Sequence, residues 1–214
     1  MEGYQRAFFE FAIDCGVLKF GQFTLKSGRI SPYFFNAGLF NRGEHLRRLG
    51  GFYAAALVRA GVPFDMLFGP AYKGIPLVAA TAIALAGEHG RDLPFAFDRK
   101  EAKDHGEGGV IVGAPLADRV VVVDDVISSG LSVMHSARLI ADAGATLAGV
   151  VVALDRQERG QGDLSAVAEV QERHGVPVIA VAGVKELVHY LEYECKDTGN
   201  AAAIRAYRAQ YGAE

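Results

Sequence analysis

Residues 120–132 read Val-Val-Val-Val-Asp-Asp-Val-Ile-Ser-Ser-Gly-Leu-Ser. They bring two kinds of chemistry into one short loop. Asp124 and Asp125 supply carboxylates, which suit ribose hydroxyls or a divalent cation. Ser128, Ser129 and Ser132 supply hydroxyls around Gly130, and a helix starting there adds backbone N–H donors for a phosphate. The acids cannot hold that phosphate themselves, because like charges repel. The chemistry on offer is a sugar site beside a monophosphate site. Acids and serines of this kind also cap helices with no ligand at all, so the loop needs support from the rest of the chain.

The elements around the loop provide a frame. Val120–Val123 shows no polar alternation, which predicts a strand buried on both faces at the centre of a sheet. Asp124 and Asp125 then fall at its carboxyl end, where open α/β sheets bind ligands. Further apolar strands are expected at Met66–Gly69, Phe95–Phe97, Val110–Val112, Leu147–Leu154 and Val176–Val181. Helical patterns separate or follow them at Gly74–Ala86, 131–143, Leu164–His174, 184–194 and 200–211. Residues 99–109 are charged and glycine-rich and read as a loop. Ahead of this rhythm lie a helix over 4–15, short strands and turns over 17–35, and a helix over 43–60 closed by Gly61. The expectation is an α/β fold: a central, mostly parallel sheet flanked by helices. A small N-terminal appendage falls within about residues 1–61 of a single domain spanning 1–214.

Composition narrows the classes. Of the 214 residues 50% are hydrophobic, enough for a core and against disorder. A formal net charge of −3 argues against a sequence-independent nucleic-acid binder, so no nucleic-acid partner is expected. No apolar run approaches the roughly 18 residues of a membrane span. The N-terminal residues carry an early acid and no long apolar stretch, so a cytoplasmic protein without a signal peptide is expected. Cys15 and Cys195 stand far apart in no metal-like spacing, which fits a reducing compartment. The 26 glycines are about twice the usual share. They pose the question of which backbone positions need freedom from a Cβ.

The run at 120–132 resembles the signature of phosphoribosyltransferases that use phosphoribosyl pyrophosphate (PRPP): four apolar residues, two acids, two apolar residues, then a small hydroxyl-and-glycine loop. Leu131 departs from it, standing where threonine is usual, so its side chain is not counted among the phosphate ligands. A PRPP enzyme must also hold pyrophosphate. Gly69-Pro-Ala-Tyr-Lys-Gly-Ile-Pro follows one expected strand and opens a helix; Lys73 offers the charge and the turn its amides. This stretch is similar to the pyrophosphate loop of orotate phosphoribosyltransferases, Tyr72 and Lys73 included. In the charged loop, Arg99, Lys100, Lys103 and His105 could surround a polyphosphate, while Gly106, Gly108 and Gly109 would let it open and close. The loop resembles that family's mobile catalytic loop, with Arg-Lys-x-x-Lys-x-His-Gly in register. A planar anionic base wants an aromatic platform and a cation, and Lys26 with Phe34 and Phe35 meets that need. Their segment is similar to the one that helps bind orotate in the same family. Asp155-Arg-Gln-Glu-Arg-Gly resembles the segment whose arginine pairs with the orotate carboxylate; that arginine maps to Arg156, with Arg159 a weaker claimant.

The matches run from about residue 20 to 160 in the order and spacing of the orotate phosphoribosyltransferases. The resemblance implies transfer of the 5-phosphoribosyl group from PRPP to orotate, giving orotidine 5′-monophosphate and pyrophosphate in pyrimidine biosynthesis. It implies Mg²⁺ carried mainly by PRPP, with no direct metal ligand expected from the protein, and a homodimer in which each loop reaches the neighbouring site. Lys103 ranks first for catalysis, with His105, Asp124 and Asp125. The implied PRPP contacts are those four with Tyr72, Lys73, Arg99, Lys100, Ser128, Ser129, Gly130 and Ser132. The implied orotate contacts are Lys26, Phe34, Phe35, Ser128 and Arg156. Three alternatives compete. A transferase acting on another base would share 120–132 but not Lys26 with Phe34–Phe35, nor the charged loop. A non-catalytic nucleotide sensor would need an added basic module. A bifunctional enzyme that also decarboxylates its product would need a second, barrel-sized domain.

Overall fold

The structure is a computed structural model that describes residues 1–25, 27–103, 109–128, 130–160 and 162–213, with residues 102 and 103 described by their backbone alone. The valine run forms the strand it predicts. Strand β6 (Arg119–Val123) lies inside a six-stranded sheet, and Val120, Val121, Val122 and Val123 are fully buried. For this numbering, the elements ahead of it are α1 (Gly3–Asp14), β1 (Leu18–Thr24), β2 (Ile30–Phe35), α2 (Gly43–Ala60), β3 (Met66–Gly69), α3 (Gly74–His89), β4 (Phe95–Lys103) and β5 (Gly109–Gly113). After it come α4 (Leu131–Asp142), β7 (Thr146–Asp155), α5 (Ala166–His174), β8 (Val178–Gly183), α6 (Val184–His189) and α7 (Thr198–Tyr211).

The main sheet has the order β5-β4-β3-β6-β7-β8. All its pairings are parallel except β4 with β5 at one edge. Chain direction along the sheet reverses between β3 and β6: β3 leads outward to β4, and β6 leads the other way to β7. A crevice at the carboxyl ends of those two strands is the ligand position of such sheets.

The strands divide their side chains between two cores. Leu67, Val121, Val123, Val151 and Ala153 face a cluster that takes in Phe8 and Phe9 of α1, Leu57 of α2, Leu85 of α3 and Ile204 of α7. Met66, Phe68, Val120, Val122, Val150 and Val152 face a second cluster with Val133 and Ile140 of α4 and Val170 of α5. Alternation along each strand therefore buries both faces of the sheet. Helix α2 packs on α3 and on the β7–β8 half of the sheet, while β1 and β2 form a separate antiparallel pair. Among the described residues no helix is long and apolar enough to cross a membrane.

Two elements differ from their sequence reading. The stretch read as a loop over 99–109 is strand at both ends: β4 continues to Lys103 and β5 begins at Gly109. Antiparallel pairing with β5 at Asp98 and at Lys103 brackets the charged stretch, which stays extended next to the sheet edge. In the tail, helical structure over 184–194 is divided into α6 and a π-helical turn at Tyr190–Glu194.

Candidate active site

The two loops singled out by the sequence lie at the switch point. Strand β3 ends at Gly69, and Pro70–Lys73 turn into α3; strand β6 ends at Val123, and 124–130 lead into α4. Strand pairing of Phe68 with Val122 sets these exits side by side. The turn after β3 requires its glycines. A Cβ on Gly69 would run into the Gly74 backbone, and one on Gly74 would lie 2.6 Å from Pro70 Cδ. At the other loop, Gly130 caps α4 in the left-handed region at φ +70°, which a residue with a Cβ rarely adopts.

Charges meet across this junction. Lys73 Nζ donates to Asp125 Oδ2 at 2.5 Å. Ser132 Oγ donates to Asp124 Oδ2 at 2.8 Å, and the Asp125 amide donates to Asp124 Oδ1 at 2.9 Å. Both acids are only 7% exposed. Burial pushes the Asp124 carboxyl up to about 6, against the pull of its hydrogen bonds from Ser132 and the Asp125 amide. Tyr53 fixes the strand end from below, its hydroxyl donating to the Asp124 carbonyl at 2.8 Å. As placed, the single proton of Ser132 is engaged by Asp124. A phosphate at this helix start would be met by α4 amides, or would take that proton in exchange.

The exposed rim is cationic and aromatic. Tyr72 is 67% exposed, and Lys100 Nζ sits 4.8 Å from its ring centroid. Arg99 stands half-buried beside Lys100 midway along β4. Leu131 is 63% exposed, and its backbone belongs to the helix start. Lys26, His105 and Ser129 lie outside the described residues, as does the side chain of Lys103.

Arg156 follows β7 and meets the N-terminal strand pair. Its Nη2 donates to Ser31 Oγ at 3.1 Å, and its guanidinium lies 4.2 Å over the Tyr33 ring. The same strand β2 carries Phe34 and Phe35. Phe34 is 39% exposed and stacks on Phe23, whereas Phe35 turns inward toward Phe8 and Phe40. Of the two, Phe34 is the one left open as a platform. Arg159 instead donates to the carbonyl of Gln210 at the end of α7.

The sequence reading passed over the groups that hold these residues. Glu158 Oε1 accepts from Arg156 Nε at 2.9 Å and Nη2 at 2.5 Å, and Oε2 accepts from the Tyr207 hydroxyl at 3.2 Å. Burial opposes the charge of Arg156, but the Tyr33 oxygen and the Glu158 carboxylate outweigh it, and its pKa lies above the ordinary arginine value. Burial also raises Tyr33 and Tyr207, so both phenols remain donors. Asp98 on β4, 3% exposed, is the other missed group. The signal available for Glu158 was an acid two residues from a candidate arginine; for Asp98 it was an acid following the apolar run Phe95–Phe97.

The switch point, its acid pair and its lysine-bearing turn fit a phosphoribosyltransferase, and known proteins agree. The family model for the phosphoribosyl transferase domain matches residues 42–185. The orotate phosphoribosyltransferase of Yersinia enterocolitica is 59% identical over 212 residues, covering 99% of this chain and 100% of that protein. The enzyme of the same name from Pseudomonas aeruginosa is 57% identical with the same coverage. The crystal structure of orotate phosphoribosyltransferase from Francisella tularensis matches with a TM-score of 0.88 at 44% identity, covering 97% of this chain and 100% of that one. The chain belongs to the orotate phosphoribosyltransferase family.

Proposed function

We propose that this chain transfers the 5-phosphoribosyl group of PRPP to orotate at the switch point of its main sheet, releasing pyrophosphate and forming orotidine 5′-monophosphate. The observation that carries the reading is the 2.5 Å contact of Lys73 with Asp125. It sets a cation from one turn against an acid from the other, where the diphosphate and the ribose hydroxyls of a single substrate meet.

In the reaction, the bond from ribose C1 to a pyrophosphate oxygen breaks, and its electron pair leaves with that oxygen. A ring nitrogen of orotate forms the new bond to the same carbon and gives up its proton, which leaves with the pyrophosphate or passes to water. Positive charge develops on the ribose ring in between, so the chain needs no covalent nucleophile. It must position two substrates and stabilise charge. Asp124 and Asp125 hold the ribose hydroxyls and face the developing cation. Lys73, Arg99, Lys100 and Lys103 take up the pyrophosphate charge, Lys103 foremost, with Tyr72 beside them. His105 gives the departing group a proton or a hydrogen bond. Ser128, Ser129, Gly130, Ser132 and the first amides of α4 cradle the 5′-phosphate. Phe34, Lys26 and Ser128 receive the base, while Phe35, expected beside them, packs into the core instead, and Arg156 takes its carboxylate.

Asp125 is already paired with Lys73, which fits a Mg²⁺ ion that would be carried by PRPP with no direct ligand from the protein and would neutralise pyrophosphate oxygens. The reading further includes a homodimer with shared active sites, a cytoplasmic location and one phosphoribosyltransferase domain over 1–214. The core shared by α1, α7 and the sheet supports the last.

The test is purified chain with orotate, PRPP and Mg²⁺, followed by absorbance and by pyrophosphate release. The expected result is orotate loss that requires PRPP, with no product from uracil or adenine. Product from a purine and none from orotate would overturn the reading.

A further inference from the structure

Asp98 has no part in the chemistry above, yet it joins three pieces of the PRPP site. It lies on the same face of β4 as Ala96, two residues back, which faces the α4–α5 core. Its Oδ1 accepts from the Ala71 amide at 2.5 Å, inside the turn that carries Tyr72 and Lys73. Its Oδ2 accepts from His135 Nε2 of α4 at 3.0 Å, since a carboxylate can only accept. The next two residues of its own strand are Arg99 and Lys100. One carboxylate, 3% exposed, therefore ties the turn after β3, the helix after β6 and the cationic end of β4.

A purely apolar core gives no reason for this group. Burying a carboxylate is unfavourable unless hydrogen bonds compensate. Here the compensation comes from a loop amide and from a histidine that is otherwise 57% exposed. An apolar residue would fill the place beside Ala96, but it would leave the Ala71 amide without its acceptor. The turn's backbone would then lose the one side-chain hydrogen bond it receives among the described residues.

We propose that Asp98 is a positioning residue for PRPP. By fixing the Ala71 amide it aims Tyr72 and Lys73 at the pyrophosphate, and through His135 it locks that turn to the helix that receives the 5′-phosphate. The proposal rests on the reading of 69–73 as the pyrophosphate turn, and the experiment separates the two.

Steady-state kinetics of the full chain with Mg²⁺ would compare Asp98→Leu, Asp98→Asn, His135→Ala and Lys73→Ala, with melting temperatures measured alongside. Asp98→Leu keeps the branched shape and removes the acceptor; its KM for PRPP should rise about tenfold or more, with KM for orotate within about twofold. Asp98→Asn keeps an acceptor for Ala71 and should recover most of that loss. His135→Ala cuts only the second arm, on an exposed residue, and should raise KM for PRPP about threefold. Lys73→Ala should also raise KM for PRPP; if it does not, the reading of the turn fails, whatever Asp98 does. If Lys73→Ala behaves as expected, three results overturn the role of Asp98. One is an unchanged KM for PRPP in Asp98→Leu. Another is an equal rise in both KM values. The third, decisive even if Asp98→Leu fails to fold, is an unchanged KM for PRPP in His135→Ala.

Discussion

The two ends of the site are built in opposite ways. At the phosphate end, two runs that are each short in sequence gather at strand exits, and the fold holds an acid there against its preference: burial lifts Asp124 to about 6. At the base end, groups far apart in the chain form a satisfied network. Arg156 is paired with Glu158, and Glu158 is fixed by Tyr207. One end carries charge in readiness for a substrate, at some loss of stability; the other contributes stability and orients a single cation. On the proposed assignment of the two ends, recognition of the base and handling of PRPP should be separable by mutation.

The sharpest break in that comparison should come at the phosphate end. Lys103→Ala should lower kcat by about a hundredfold or more while KM for orotate changes little, as expected for charge stabilised mainly in the transition state. Steady-state kinetics with an unchanged kcat would refute the assignment.

Next in size, Glu158→Ala should destabilise the fold by about 2 kcal/mol in urea denaturation, because it strands the buried charge of Arg156. The full cost of breaking a wholly buried pair is larger, but Arg156 keeps 22% of its side chain exposed. Unchanged stability would mean that the network does not support the base end.

Asp124→Asn should do the reverse. Turnover falls, but stability at pH 7.5 should rise by about 2 kcal/mol, since ionised Asp124 is held at an unfavourable pKa. The folded protein binds this proton more tightly than the unfolded chain, so Asp124 lowers stability as pH rises from about 4 to about 6. The advantage of Asp124→Asn should therefore be complete above pH 6 and shrink as pH falls toward 4. Denaturation at pH 7.5 and pH 4.5 checks the sign; a gain that grows on acidification would contradict it. Smallest of all, Tyr207→Phe should cost about 1 kcal/mol, the loss of one hydrogen bond to a carboxylate, with kcat unaltered.

The same contrast explains what could be read in advance. Residues 120–132 and 69–76 are short stretches whose chemistry and structure coincide: a buried strand, an exit, a helix start. Pattern alone placed β6 at the centre of the sheet and its acids at the ligand edge. The base end was legible only in part. Arg156 could be picked out beside Asp155, but its partners Ser31 and Tyr207 lie 125 residues from Arg156 and 49 from Glu158, respectively. No local periodicity records such pairings. Asp98 was hidden for another reason: an acid ahead of Arg99 and Lys100 reads as part of a solvated charged loop, and only the burial of β4 against α4 reveals otherwise. The strand beyond Phe97 was missed because its extended form depends on the pairing of Asp98 with Ile111 across β5, not on its own composition.

The pairing of Met66, Leu67 and Phe68 with Val120, Val121 and Val122 has a consequence in time as well as in space. The turn with Lys73 and the loop with Asp125 are joined by no short stretch of chain; this ladder between distant segments brings them together. Contacts of such sequence separation form late, because loop closure precedes their reward. On dilution from urea, helical signal from α3 and α4 should return before enzyme activity does. Regained turnover is then a clock for the closing of the sheet.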